Sequence, residues 1–160
     1  MAGNGNGVGA NVADFEMQNV AGERVALHTS CGETKAVWFA LTAGWCGACE
    51  TLLPEFAARY DQDKDNGLQL RIVVGEDQNS QPATEEYCRN YATSKNLDPS
   101  IVFCDPSWQT TFSNLWAYPQ DGSIGLPWQA VLRGSNMEYV YGDGGSSGNA
   151  VDAINQLLSE

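Results

Sequence analysis

The chain has 160 residues, 42% of them hydrophobic and 10% aromatic, which is the size and composition of a single domain with its own core and excludes a disordered chain. Twenty acidic residues against eight basic ones give a formal net charge of −12, so the basic footprint that nucleic acid demands is missing and an anionic membrane surface is disfavoured. The charge reads as solubility, and no apolar run approaches the ~18 residues of a membrane-spanning helix.

In chain order, residues 1–11 are rich in Gly and Asn and predict a flexible tail ahead of one domain over 12–160. The first twelve residues hold neither a basic start nor an apolar stretch, so no export signal is expected in them; a chain beginning just behind a removed signal would read the same way. Short strands over 14–19 and 24–27 flank the turn Ala21-Gly22-Glu23 and predict a hairpin. Val37, Trp38, Phe39 and Leu41, within 35–42, suit a strand buried on both faces. From Cys46 to Lys64 the period becomes helical, with Cys49, Leu52, Leu53, Phe56, Ala57 and Tyr60 on one stripe. Pro54 lies inside that stripe, removes a backbone donor and predicts a kink. A second buried strand follows over 68–74, then a loop over 78–82. A helix over 84–96 carries Tyr87, Cys88 and Tyr91 on one face. A third strand over 100–104 closes at Asp105-Pro106. Strands over 128–133 and 138–141 form a second hairpin around Gly134-Ser135-Asn136, and a helix over 149–158 turns Val151, Ile154, Leu157 and Leu158 inward. Alternating strands and helices imply parallel crossovers, to which the last hairpin adds antiparallel edges.

The chemistry gathers at Trp45-Cys46-Gly47-Ala48-Cys49. A buried strand ends, the chain turns, and a helix opens at Cys46. First-turn N–H groups without intrahelical partners, and the positive end of the macrodipole, stabilise a thiolate there. Cys49 is one turn on, within reach of the first sulfur. The pair therefore supports a two-step exchange in which Cys46 attacks a disulfide and Cys49 resolves the mixed disulfide. A zinc half-site is the rival reading, but a second CxxC or a His pair is missing, and His28 is the only histidine. His28 itself reads as a strand-end surface residue.

Trp45-Cys46-Gly47-Ala48-Cys49 followed by Pro54 resembles thioredoxin-like proteins, and more narrowly the TlpA-like, AhpC/TSA-related redoxins. Asp14–Met17 through Gly22–Leu27 resembles the opening hairpin of that group, Asp105-Pro106 its turn after the third strand, and Gly125-Leu126-Pro127 its cis-proline loop. The resemblance spans about Val12 to Ser159. It implies a thioredoxin-like α/β fold, a central mixed sheet flanked by helices, with an N-terminal hairpin extension. It also implies that Pro127 is cis and faces the cysteines, with the Leu126 backbone available to pair with an extended client strand. Two departures stand out. Gly-Ala occupies the position between the cysteines where Gly-Pro is usual. Ala40 stands where many thioredoxins carry a buried acid, so proton transfer to Cys49 falls to water or to Glu50 or Glu55, both of which also read as solvated helix residues.

Asp61–Gly67 has the acids of a calcium loop but not its register, since Asn66 and Ile72 stand where Gly and Glu are required; it reads as an acidic helix end. Trp108, Trp116 and Trp128 are candidates for a client groove or for packing, with Trp128 foremost because it follows Pro127.

Five cysteines are many for a reduced compartment and point to an oxidising one. Cys88 lies one turn into the helix that starts where the second central strand ends, and Cys104 ends the neighbouring parallel strand. Both belong to the sheet end that carries Cys46, so a Cys88–Cys104 disulfide is expected, the alternative being two small buried hydrophobes. Cys31 belongs at the opposite end and is left as the odd thiol. The expected protein is a disulfide oxidoreductase, more a reductant than an oxidant, with catalytic Cys46 and Cys49 and a client site of Trp45, Leu126, Pro127 and Trp128. A non-catalytic binding module and a thiol peroxidase are the alternatives. No cofactor or metal is implied, because the cysteines carry the electrons. The expected partners are a disulfide-containing client and a thiol donor, for a monomer in the periplasm or outside the cell, tethered or free.

Overall fold

The computed structural model describes residues 3–115, 125–144 and 150–160. Strands β1 (Glu16–Gln18) and β2 (Arg24–Ala26) pair antiparallel around the positive-φ Gly22. The main sheet holds β3 (Ala36–Ala43), β4 (Leu68–Glu76), β5 (Val102–Cys104), β6 (Trp128–Arg133) and β7 (Tyr139–Gly144). Their spatial order is β5-β4-β3-β6-β7, with β3, β4 and β5 parallel and β6 antiparallel to both neighbours. Helices are α1 (Gly47–Asp63), α2 (Glu85–Ser94), α3 (Gln109–Asn114) and α4 (Ala150–Leu158). This is the thioredoxin-like arrangement, a mixed sheet flanked by helices and preceded by a separate hairpin.

Every residue of β3 is buried, as a central strand covered on both faces requires. Trp38 packs its ring 4.7 Å from that of Phe56 in α1, Thr42 meets Tyr91 of α2, and Arg59 of α1 donates to Asn155 of α4. These three helices therefore share the face of Trp38, Ala40 and Thr42. The alternate residues face the other way: Phe39 stacks on Phe15, ahead of the first hairpin.

Several local expectations change. Gly9 and Ala10, just ahead of Val12, are tied down rather than free: Gly9 N–H donates to the Tyr139 carbonyl at 2.8 Å and Tyr139 N–H returns to Ala10 at 2.9 Å. His28 is half-buried in the 3-10 turn Leu27–Ser30, where Nε2 meets the Val12 carbonyl at 2.9 Å, so it is not a free surface residue. Pro54 stands inside α1 as read, and the helix continues past it to Asp63. Helix α3 appears where a connection was expected, because Asp105 accepts the N–H groups of Thr110 and Thr111 and the Thr111 hydroxyl. β7 extends to Gly144, pairing Gly144 with Trp128. Asn149, the expected first residue of the last helix, lies outside the described residues.

Candidate active site

Cys46 is the N-cap of α1, in extended conformation (φ −84°, ψ 103°). Its Sγ accepts the Cys49 N–H at 3.1 Å, so a first-turn donor that no carbonyl can reach is aimed at this sulfur. Cys46 and Cys49 are joined as a disulfide with a Cα separation of 5.3 Å. Cys46 is 4% exposed and Cys49 fully buried, so Cys46 is the residue of the pair that touches solvent.

The loop that presents the pair is stitched to the end of β4. Gly44 N–H donates to the Glu76 carbonyl at 3.0 Å, Cys46 N–H donates to Ala43, and Trp45 Nε1 reaches the Glu76 carboxylate at 2.9 Å. Trp45 is nearly half exposed beside the cysteines. Gly44 is glycine for a packing reason: a Cβ there would run into the Tyr87 hydroxyl and the Gln78 backbone. Tyr91, one turn further along α2, exchanges a hydrogen bond of 2.9 Å with Thr42, and burial pushes its phenol up to about 12.

The Leu126–Pro127 peptide is cis. Trp128 pairs with Leu41 in the β3–β6 ladder, so continuing that register sets Pro127 and Leu126 beside Thr42 and Ala43, the last residues before the cysteine loop. Leu126, Pro127 and Trp128 are all buried. Trp128 meets Phe112 edge-on at 5.7 Å, and Phe112 lies 6.3 Å from Trp108. Trp128 and Trp108 are thus packing residues behind the loop rather than walls of an open groove; Trp116 lies outside the described residues. Ser107 and Trp108 both take positive φ, which lays the Trp108 indole over Gly75 at the end of β4.

Ala40 is fully buried between Ile72 and Gln129. The two glutamates proposed beside it point to solvent. Glu50 is paired with Lys95 at 2.7 Å, whose hydrogen bond and charge hold its carboxyl below the usual range, and Glu55 is exposed. Buried carboxylates among the described residues are Asp63, bonded to Arg59 and Asn66, and Asp105, which caps α3. Nothing in the amino-acid pattern marks Tyr87 and Thr42 as neighbours of the loop; an i, i+4 tyrosine pair on the inward face of α2 is the trace they leave.

Cys88 and Cys104 are also joined as a disulfide, with Cα atoms 5.7 Å apart, tying α2 to the end of β5. Cys104 pairs with Val74, and Val74 with Thr42, so this bridge stands at the sheet end of the cysteine loop. Cys31 is free and half-buried at the other end, its Sγ 3.4 Å from the Ser135 carbonyl. Among the described residues no group of His, Cys, Asp and Glu is placed to hold a metal, and no helix is long and apolar enough to cross a membrane.

Solved structures share this architecture. A solution structure from Bacteroides thetaiotaomicron, provisionally named a protein disulfide isomerase, has a TM-score of 0.72 at 21% identity and covers 100% of this chain and 96% of that one. The pneumococcal exposed lipoprotein thioredoxin of Streptococcus pneumoniae has a TM-score of 0.66 at 26% identity, covering 92% of this chain and 98% of that one. A thiol:disulfide interchange protein of the thioredoxin family from Chlorobium tepidum has a TM-score of 0.66 at 16% identity and covers 91% of each chain. No curated protein matches the chain by sequence. The AhpC/TSA family model matches residues 8–109, from the segment that docks on β7 through the cysteine loop to the start of α3, and on that match the chain belongs to the AhpC/TSA family.

Proposed function

We propose that the chain is a thiol–disulfide oxidoreductase that reduces disulfides of protein clients outside the cytoplasm. The carrying observation is the Cys49 N–H aimed at the Cys46 sulfur at the head of α1. In the reduced protein that donor and the helix end favour the Cys46 thiolate. The thiolate attacks one sulfur of a client disulfide, and the client's other sulfur leaves as a thiolate. Cys49, deprotonated, then attacks Cys46 Sγ, and the client's first sulfur leaves. Two electrons have passed to the client, and the Cys46–Cys49 disulfide remains for an external dithiol to reduce. Trp45 flanks the attacking sulfur. Leu126 and Pro127 border it, with the Leu126 backbone offered to an extended client segment and Trp128 fixing the loop from behind. With Glu50 and Glu55 turned to solvent, water carries the Cys49 proton. The second disulfide and the exposed-lipoprotein neighbour support the extracytoplasmic location.

Insulin reduction driven by dithiothreitol tests this. Wild type should accelerate precipitation, and Cys46→Ala should abolish the acceleration. Equal rates with and without the protein would leave only a binding module. Peroxide consumption dependent on Cys46, without insulin reduction, would make it a thiol peroxidase. Direction is read from the reduction potential: a value near −270 mV, that of thioredoxin, fits a reductant, and one near −120 mV an oxidant.

A further inference from the structure

The β3–β4 ladder slips by one residue at its end. Thr42 pairs with Val74 and Ala43 with Glu76, so Gly75 is the extra residue of a bulge. Glycine is required there, because a Cβ would run into the Trp108 indole. A bulge re-aims the side chain beside it, and Glu76 is the residue so aimed. Its carbonyl accepts the Gly44 N–H at 3.0 Å, and its Oε1 accepts the Trp45 indole N–H at 2.9 Å. Glu76 is thus fastened to the two residues that precede Cys46. Nearly half of Trp45 is open to solvent, and Glu76 is half-buried beneath its edge. Glu50, just past Cys49, is neutralised by Lys95 at 2.7 Å. The other ion pairs among the described residues are made by Arg24, Arg59, Lys64 and Arg133 with carboxylates elsewhere. Glu76 therefore keeps its negative charge unpaired beside the reactive pair.

We propose that Glu76, with the Trp45 ring it holds, selects clients that carry Lys or Arg next to their disulfide. The inference rests on the reading of Cys46 as the attacking sulfur. A client sulfur that bonds to Cys46 brings its sequence neighbours with it, at ~4–7 Å for one or two residues along. Those neighbours come to lie over Trp45, the residue adjoining Cys46. A cation there gains from the indole ring and from the carboxylate bonded to that ring's N–H. A client carboxylate at the same place meets repulsion from Glu76. The net charge of −12 also favours cationic clients, but from scattered positions and under the screening of salt, so it does not single out the residues beside the disulfide.

The probes are three synthetic peptides, each closed by one disulfide and differing only in the pair of residues beside one cysteine: Lys-Lys, Ser-Ser or Glu-Glu. Single-turnover reduction by the fully reduced protein at low ionic strength gives a rate for each, divided by the rate of dithiothreitol with the same peptide to remove intrinsic differences. Wild type should favour the Lys peptide over the Glu peptide by ~10-fold, a ratio that narrows with added salt. Glu76→Gln keeps an oxygen for the Trp45 N–H and removes the charge; it should cut the ratio at least ~3-fold. Glu33→Gln removes an equal charge from an exposed position ahead of β3, at the opposite end of the sheet, and should keep the wild-type ratio. Two variants that alter the ratio alike, or a ratio unmoved in Glu76→Gln, would overturn the proposal in favour of net charge. Equal slowing of the Lys and Glu peptides in Glu76→Gln would reduce Glu76 to an anchor for Trp45 and overturn it too. Reduction of all three peptides at one rate would sink this inference alone, whereas no reduction of any would sink the oxidoreductase reading with it.

Discussion

Cys46 and Cys49 are three residues apart and meet different surroundings. One caps a helix with a trace of solvent access, and the other is sealed in the core. Iodoacetamide at neutral pH should therefore modify Cys46 well before Cys49 in the reduced protein, as mass spectrometry of timed digests would show; the reverse order would exchange their roles. Gly44 makes a second test. Gly44→Ala puts a methyl group against the Tyr87 hydroxyl and the Gln78 backbone, an overpacking that should cost about 1–3 kcal/mol in urea unfolding and slow insulin reduction by displacing the loop. Tyr87→Phe in the same background should recover part of both. At this scale the sequence was informative where chemistry is local. The CxxC spacing announces its own reach. Nothing in residues 84–96 says which residue a Tyr87 hydroxyl will touch, and nothing in 68–74 marks Arg71 as a cation between the rings of Phe39 and Phe103, because those neighbours come from distant parts of the chain.

Helix α2 connects the two disulfide sites. It reaches β3 through Tyr91 and Thr42, the loop through Tyr87, and β5 through Cys88 and Cys104. The Cys88–Cys104 bond closes an interval of 16 positions, worth roughly 3 kcal/mol in the chain-entropy model. Cys88→Ala with Cys104→Ala should lower the unfolding free energy by about that amount, seen as an earlier urea midpoint, while retaining insulin reduction. Tyr91 adds a pH dependence. Its folded pKa is raised by burial from 10.0 to about 12, so its protection is complete below pH 10 and is lost as pH climbs through 12. In Tyr91→Phe the fall in stability between those values should be shallower, measured by urea titrations at each pH. The long elements were legible because α1 carries a helical stripe and β3 an unbroken apolar run. α3 was not: Gln109-Thr110-Thr111-Phe112-Ser113-Asn114 is poor in helix formers, and it is held by the Asp105 carboxylate ahead of it. The end of β7 was hidden for a similar reason, since Gly142-Asp143-Gly144 has little strand propensity and is fixed by its partners in β6.

Across the molecule, residues 9–20 shield both edges of the sheet. Gly9, Ala10 and Val12 bond to Tyr139 and Met137 on the β7 side, while Asn19 bridges Phe103 and Val20 N–H donates to Val102 on β5. Open strand edges invite pairing with other chains. Deleting residues 3–11 should therefore shift size-exclusion chromatography toward larger species, with the cysteine chemistry retained; an unchanged elution profile would show that the β7 edge protects itself. This docking also fixes a direction. The Tyr139 partner on β6 is Leu132, which pairs with Val37 near the start of β3, while Cys46 follows the end of that strand, which lies roughly 20 Å from Val37 at the usual strand rise. If a membrane anchor holds this chain by its N-terminus, the leash leaves from the base of the domain and the reactive sulfur rides at the summit, turned toward incoming clients and away from the lipid.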